Sequence, residues 1–279
     1  MKLRDLKNLF GIKPKPVSYG FQVNSFDLPQ DGRVEYAQWL HPAESPKTIE
    51  QSVVDELRRY ISPGDVAIDI GAHTGDTTIP LALAAEKNGC VIALEPNSYV
   101  FPVLEKNASL NLEKTKIKPL NFAATLQSGE FEFEYSDAGF CNGGFHEGIS
   151  KWRHGHAFEL KVRGENVGNY LESNFPELIP RITFIKIDAE GYDYSILKSI
   201  ENLILKQKPF IKCEVYKHLN EEKRRKLFEY VSGFGYKIYK VEQEDDYKGE
   251  AVTIEKLMNW KHYDIFAVPD SKRTGLYTN

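Results

Sequence analysis

The stretch from Asp65 to Ala84, DVAIDIGAHTGDTTIPLALA, decides the reading of this chain. An apolar run, Val66–Ile70, carries a single acid, Asp69. Gly71 and Gly75 follow, and then a run with helical character. A strand that passes through a glycine turn into a helix is the opening unit of an open α/β sheet. Glycines suit a tight turn where a side chain would block a ligand or force strain. The N-terminus of the helix beyond offers free amides. The spacing D-x-G-x-x-x-G is not the dinucleotide fingerprint G-x-G-x-x-G, because His73 stands where a middle glycine is common. It is not a P-loop either, since no Gly-Lys-Ser/Thr follows.

Downstream the alternation continues. VIALEP (91–96), IKPLNFAAT (117–125), ITFIKID (182–188) and PFIKCEV (209–215) read as strands. Segments 76–88, 98–111, 191–207 and 221–231 read as helices, with Gly89 as a C-terminal cap. FEFEY (131–135) and FELKV (158–162) read as β additions around a loop. YKIYKV (236–241) and YDIFAVP (263–269) have no long helix between them, which implies an antiparallel pair at the sheet edge. The expected architecture is a mostly parallel, Rossmann-like sheet of seven strands with helices on both faces and an antiparallel edge. Upstream, IEQSVVDELRRY (49–60) has one apolar helical face, and residues 21–48 read as irregular. The expected division is an N-terminal extension over 1–50, on the substrate side, a body over 51–270 and a tail over 271–279.

In such a sheet, ligands bind beyond the C-terminal ends of the strands. Acids recur there: Asp69, Glu95, Asp188 and Glu214. Buried acids are costly unless exposed or paired, so four in a row imply a polar cleft. Glu95 lies 24 residues after Gly71, at the tip of the next strand. An acid at that place accepts hydrogen bonds from ribose hydroxyls. A turn without pyrophosphate specificity, joined to a ribose acid, suits S-adenosylmethionine better than NAD. Its sulfonium and ammonium are cationic, and Asp69 would favour both.

Composition bounds the remainder. With 41% hydrophobic and 27% charged residues over 279 positions, the chain can bury a real core. A net charge of −4 argues against a nucleic-acid partner held by bulk electrostatics. No run of about 18 apolar residues is present to span a membrane. Residues 1–16 are basic with helically spaced leucines, so weak peripheral membrane contact is one reading and a short packed helix the other. Cys90, Cys141 and Cys213 have no metal-type spacing and read as reduced thiols of a cytoplasmic protein. The oligomeric state has no signature.

AIDIGAHTGDTT, ALEPNSYVFPVLEKNASLN and FIKIDAEGYDYSIL together resemble the FkbM-type methyltransferases, a family within the class I, Rossmann-like enzymes that use S-adenosylmethionine. The similarity runs from about Ser52 to Pro269. It implies that Asp69, Gly71 and Gly75 line the methionine end of the cofactor; Ala72, His73 and Thr74 of the same turn are expected among the cofactor-binding residues, His73 through its backbone. It also implies that Glu95 binds the ribose with Asn97 nearby, and that Ala123 and Ala124 approach the adenine. Many class I enzymes carry an acid at that last place, and this chain does not. The resemblance implies O-methylation of sugars and related molecules.

Methyl transfer to a hydroxyl needs alignment and a general base. Asp188 or Glu190 in KIDAEGYD fits that role, with Glu190 alternatively capping the helix after Gly191. Glu214 is a third carboxylate, free to act or to pair with Lys186 or Lys212. These acids could also hold Mg²⁺, which prefers oxygen ligands, although their spacing does not demand it. His146, in the long glycine-rich stretch 136–156, is a further candidate base by its near-neutral pKa. Tyr36 and Trp39 could stack on a sugar or pack in a core. The competing readings are a catalytically silent nucleotide-binding module and, against the missing fingerprint, a nicotinamide-dependent oxidoreductase.

Overall fold

The computed structural model describes residues 15–141, 143–144 and 158–272. The chain begins with a hairpin, β1 (Phe21–Leu28) and β2 (Gly32–Trp39), where an irregular segment was expected. Then come α1 (Gln51–Leu57), β3 (Val66–Ile70), α2 (Thr78–Ala85), β4 (Cys90–Leu94), α3 (Phe101–Ser109) and β5 (Ile117–Leu120). A second sheet is built from β6 (Ala123–Ala124), β7 (Gly129–Tyr135), β8 (Gly143–Gly144) and β9 (Phe158–Glu165). The chain then returns through α4 (Val167–Asn174), β10 (Ile182–Ile187), α5 (Asp193–Ser199), α6 (Glu201–Gln207) and β11 (Phe210–Val215). It closes with α7 (Glu221–Gly233), β12 (Tyr236–Lys240) and β13 (Tyr263–Pro269).

The main sheet has seven strands in the order β12-β13-β11-β10-β3-β4-β5. Its central strands run parallel, and β13 runs antiparallel to both of its neighbours. The expected antiparallel pair thus lies at the edge, with the reversed strand one place in from the outermost. The strand order reverses between β3 and β10, which opens a crevice at their C-terminal ends.

Every residue of β3, β4 and β11 is buried. That explains their unbroken apolar runs, since a parallel sheet is covered on both faces. Ile68, Ile92, Ile185 and Ile211 pack with Leu197 of α5, Ile204 of α6 and Leu227 of α7 on one face. Ala67, Val91, Phe184 and Phe266 meet Leu57 of α1 and Leu81 of α2 on the other. Each such fully buried large side chain contributes about 1.5–3 kcal/mol. All eight residues of α2 are buried, so that helix is wrapped by the hairpin as well as by the sheet.

Some boundaries differ from expectation. The segment 117–125 divides, its first half joining the main sheet and Ala123–Ala124 joining the second. The helix over 191–207 is two helices broken at Ile200. Glu86, not Gly89, is the C-cap of α2 and takes the positive φ there, 58°. Gly89 is needed for a close approach: a Cβ there would lie 2.4 Å from the Ala85 carbonyl oxygen and 2.6 Å from that of Asp65.

The hairpin is fastened by side-chain amides. Asn107 Oδ1 accepts from the Ala37 amide at 2.6 Å, and its Nδ2 donates to the carbonyls of Ala37 at 3.0 Å and Thr74 at 2.7 Å. Asn111 repeats the device, its two amide atoms pairing with the backbone N–H and C=O of Glu35, both at 2.8 Å. These bonds satisfy backbone groups of β2 that would otherwise be an open edge. Tyr36 and Trp39 are buried, so they belong to the core and not to a sugar platform. The Tyr36 hydroxyl meets the Thr74 hydroxyl at 2.6 Å, tying the hairpin to the glycine turn.

Candidate active site

A cleft of about 780 Å³ opens over the C-terminal ends of the sheet. Gly71 and Gly75 turn the chain from β3 into α2 with φ 77° and 94°. The Gly71 and Ala72 amides both donate to the Leu94 carbonyl, which stitches this turn to the end of β4. His73 is held in the left-handed region at φ 49°, a conformation that non-glycine residues adopt at a cost. In it, the His73 amide donates to Glu95 Oε2 at 2.8 Å. Gly71, His73, Glu95 and Asn97 line the cleft, while Ala72 and Thr74 are buried behind it.

Glu95 is buried and its position is fixed by two backbone donors, His73 N–H on Oε2 and Asn97 N–H on Oε1, each at 2.8 Å. Each carboxylate oxygen retains a second acceptor site, so the group can still receive hydroxyls from the cleft. Burial raises its pKa, against the pull of His73 and the two amides. Asn97 donates to the Phe140 carbonyl at 2.6 Å, joining the tip of β4 to the segment that follows β7. Next to it, Phe122, Ala123, Ala124, Phe133 and Tyr135 form an apolar stretch of the cleft wall. The sequence pointed to the two alanines. Phe133 and Tyr135 were missed as wall residues, although the alternation in FEFEY carried the signal that they share one face.

Asp69 differs from expectation. It is fully buried and does not line the cleft. Its Oδ2 accepts from the Thr78 hydroxyl at 2.6 Å and the Thr77 hydroxyl at 3.0 Å. Its Oδ1 faces Lys186 Nζ at 3.3 Å. Lys186, which the sequence marked only as a pairing partner, is the charge that reaches the cleft. It donates to the Gly71 carbonyl at 3.1 Å and lies 3.4 Å from Asp188 Oδ2. Burial alone would lower its pKa, but Asp69, Asp188 and Asp76 raise it well above the usual lysine value.

Asp188 and Glu190 line the cleft beyond β10, as expected of the candidate bases. Asp188 keeps 47% of its side-chain surface open. Glu190 is left-handed at φ 51° and bonds the Tyr216 hydroxyl; loss of water and the neighbouring Asp188 raise its pKa. Glu190 does not cap α5, which has no side-chain cap. Asp193, the first residue of that helix, instead holds the turn before it, accepting from the Gly191 amide at 3.0 Å and the Ala189 amide at 3.3 Å. Burial first, and Asp188 second, push Asp193 up to about 7.

Glu214 pairs with neither lysine named for it. Lys212 takes Glu244 at 2.7 Å and Asp264 at 3.3 Å. Glu214 is buried and is not among the cleft-lining residues, with His262 Nδ1 3.6 Å from Oε1 and no hydrogen-bond partner for Oε2. Burial and the adjacent acids push it up to about 9, which favours the neutral carboxylic acid over a base. Among the described residues, Asp188, Glu190 and Glu214 do not converge as metal ligands. The group that does converge is Glu44, His73 and Cys141, with one ligand atom from each within 4.8 Å of the others. His146 lies outside the described residues, as do His154 and His156.

The strand order, the glycine turn and the acid at the tip of β4 define a class I, Rossmann-like methyltransferase fold. The model of the Methyltransferase FkbM domain matches residues 69–238, and the chain belongs to that family of methyltransferases. It is 24% identical over 178 residues to the hexuronic acid methyltransferase AglP of Haloferax volcanii, covering 64% of this chain and 67% of that one. Two solved structures resemble it. The FkbM methyltransferase of Methylobacillus flagellatus aligns with a TM-score of 0.44 at 16% identity, over 73% of this chain and 43% of that chain. The Aeropyrum pernix fibrillarin structure with natively bound S-adenosyl-L-methionine aligns with a TM-score of 0.43 at 11% identity, over 90% and 98%. This chain therefore spans less than half of the Methylobacillus chain it matches. Among the described residues, no helix is long and apolar enough to cross a membrane.

Proposed function

We propose that the protein transfers the methyl group of S-adenosylmethionine to a hydroxyl of a sugar, glycan or glycolipid. The observation that carries the cofactor reading is Glu95, a cleft-lining acid oriented by two backbone amides that leave each oxygen a further acceptor site. The ribose would lie on Glu95 and the adenine between Ala124 and Tyr135. The name of the Haloferax relative supports a sugar acceptor. The acceptor would enter over β10 and β11, where Asp188 and Glu190 face the cleft.

In the reaction, the acceptor oxygen forms a bond to the methyl carbon as the carbon–sulfur bond breaks, and the sulfur keeps the electron pair. The hydroxyl proton goes to a base. Glu190 suits that task because its raised pKa brings it nearer to neutrality. Asp188 and Lys186 orient the acceptor. No step is assigned to Mg²⁺. We read the three free thiols as those of a cytoplasmic protein.

The test is transfer of label from methyl-labelled cofactor to mixed cell-envelope saccharides. Glu190→Gln is expected to lower kcat about 100-fold or more with the affinity for cofactor unchanged. Cofactor binding with no label in any acceptor would favour a silent module, and absence of cofactor binding would end the reading altogether.

A further inference from the structure

Cofactor-bound methionine presents two opposite charges, an ammonium and a carboxylate, and the expected counter-charge for the ammonium, Asp69, is committed behind the cleft wall. The segment between β2 and α1 supplies another. Glu44 lines the cleft with only 7% of its side chain exposed, and its Oε1 has no hydrogen-bond partner. A buried carboxylate oxygen left in that state costs free energy unless something fills the place in front of it. Lys47 Nζ lies 3.6 Å from that oxygen, beyond hydrogen-bonding range, and is held instead by Asp76 at 2.8 Å. Asp76 belongs to the glycine turn, directly after Gly75, and both Lys47 and Asp76 line the cleft.

We propose that Glu44, Lys47 and Asp76 form the subsite for the amino-acid end of the cofactor, Lys47 taking the carboxylate and the two acids taking the ammonium. This rests on the methyltransferase reading above. Two acids and one lysine leave a local charge of −1, which matches the +1 that a sulfonium adds to a zwitterion. The nearby trio Glu44, His73 and Cys141 could be read as a metal site. The ammonium of Lys47 beside Glu44 opposes a bare dication there, whereas a zwitterion brings a carboxylate for Lys47 together with an ammonium for the two acids.

The subsite is built before the ligand arrives. Gln38 donates from Nε2 to the Ser45 carbonyl at 3.4 Å and accepts the Lys47 amide on Oε1 at 2.7 Å. The Glu44 amide donates to the His41 carbonyl at 3.0 Å, and the Ala43 amide to His41 Nδ1 at 3.0 Å. The loop is thus fixed to β2, which Asn107 fixes to the glycine turn. Preorganisation of this kind lowers the ordering cost of binding.

The experiment compares two ligands by calorimetry. S-adenosylhomocysteine carries the amino-acid end; 5′-methylthioadenosine has the same adenosine and sulfur without it. The wild-type protein is expected to bind the first at least 100-fold more tightly. Lys47→Met and Glu44→Gln are each expected to weaken S-adenosylhomocysteine tenfold or more and leave 5′-methylthioadenosine within twofold, which also reports that the variants are folded. Equal losses for both ligands, or no loss for either, would overturn the subsite. If the wild-type protein bound neither ligand, the cofactor reading itself would fall, and the subsite with it.

Discussion

The carbonyl oxygen of Asp188 occupies the space in which a side chain on Gly71 would begin. A Cβ placed on Gly71 would lie 2.0 Å from that oxygen and 3.1 Å from its carbon. The Asp188 amide also donates to the Ile70 carbonyl at 3.0 Å, so the ends of β3 and β10 are laced together at the point where the sheet order reverses. The glycine therefore joins two sides of the cleft, because the glycine turn and the candidate acceptor-orienting acid share one contact.

Gly71→Ala would force these backbones apart and also place alanine at φ 77°. The expected cost is about 3 kcal/mol, from overpacking and left-handed strain together. A urea titration followed by circular dichroism would show it as a lowered midpoint with an unchanged slope. A midpoint equal to that of the wild-type protein would mean that the contact is soft.

Glu95→Ala removes the acceptor assigned to the ribose and leaves the His73 and Asn97 amides without a partner. Two hydrogen bonds to a charged group place the loss of S-adenosylhomocysteine affinity at about 100-fold. Calorimetry reads it directly. An affinity within threefold of the wild-type value would remove Glu95 from the cofactor site.

Asn107→Ala strips three hydrogen bonds from β2 and the glycine turn. Buried polar groups left unmatched make the expected destabilisation about 3 kcal/mol. The same variant should weaken cofactor binding, since the Thr74 carbonyl loses its support. Hydrogen exchange at Ala37 would rise in parallel; continued protection there would contradict the role of the amide.

Glu214 makes stability depend on pH in a stated direction. Its folded pKa, about 9, lies above its ordinary value of 4.5. The folded state therefore holds a proton that the unfolded state has released. Stability from this group is complete below about pH 4.5 and is lost as pH rises through about 9. Glu214→Gln keeps the shape without the titration, so its stability should fall less than that of the wild-type protein over this interval. Parallel stability curves for the two proteins would show that the carboxyl is ionised in the fold.

The sheet was readable because buried parallel strands announce themselves as apolar runs, and the turns between them carry glycine or acids. The place of Glu95 in the cleft was readable for the same reason, since it ends such a run. The hairpin was not. Phe21–Trp39 has aromatic residues without clean alternation, and its edge is satisfied by Asn107 and Asn111, some 70 and 76 positions downstream from their partners. No local pattern records that arrangement. Asp69 was placed correctly on its strand but given the wrong task, because periodicity tells which strand end an acid occupies and not whether two threonines and a lysine have already engaged it. The paired charges of Lys47 and Asp76 were invisible for a similar reason: a loop lysine and a turn aspartate meet only once the hairpin is docked.

The reversed strand β13 has a consequence for biosynthesis. It is inserted between β11 and β12, which precede it in the chain, and hydrogen-bonds to both. While the nascent polypeptide is still leaving the ribosome, β11 has an unpaired flank and β12 has no place to attach. Only when Tyr263–Pro269 emerges can it slot between them and complete the layer. Until then the growing chain exposes a sticky strand flank, and that interval is when a chaperone would have most to do.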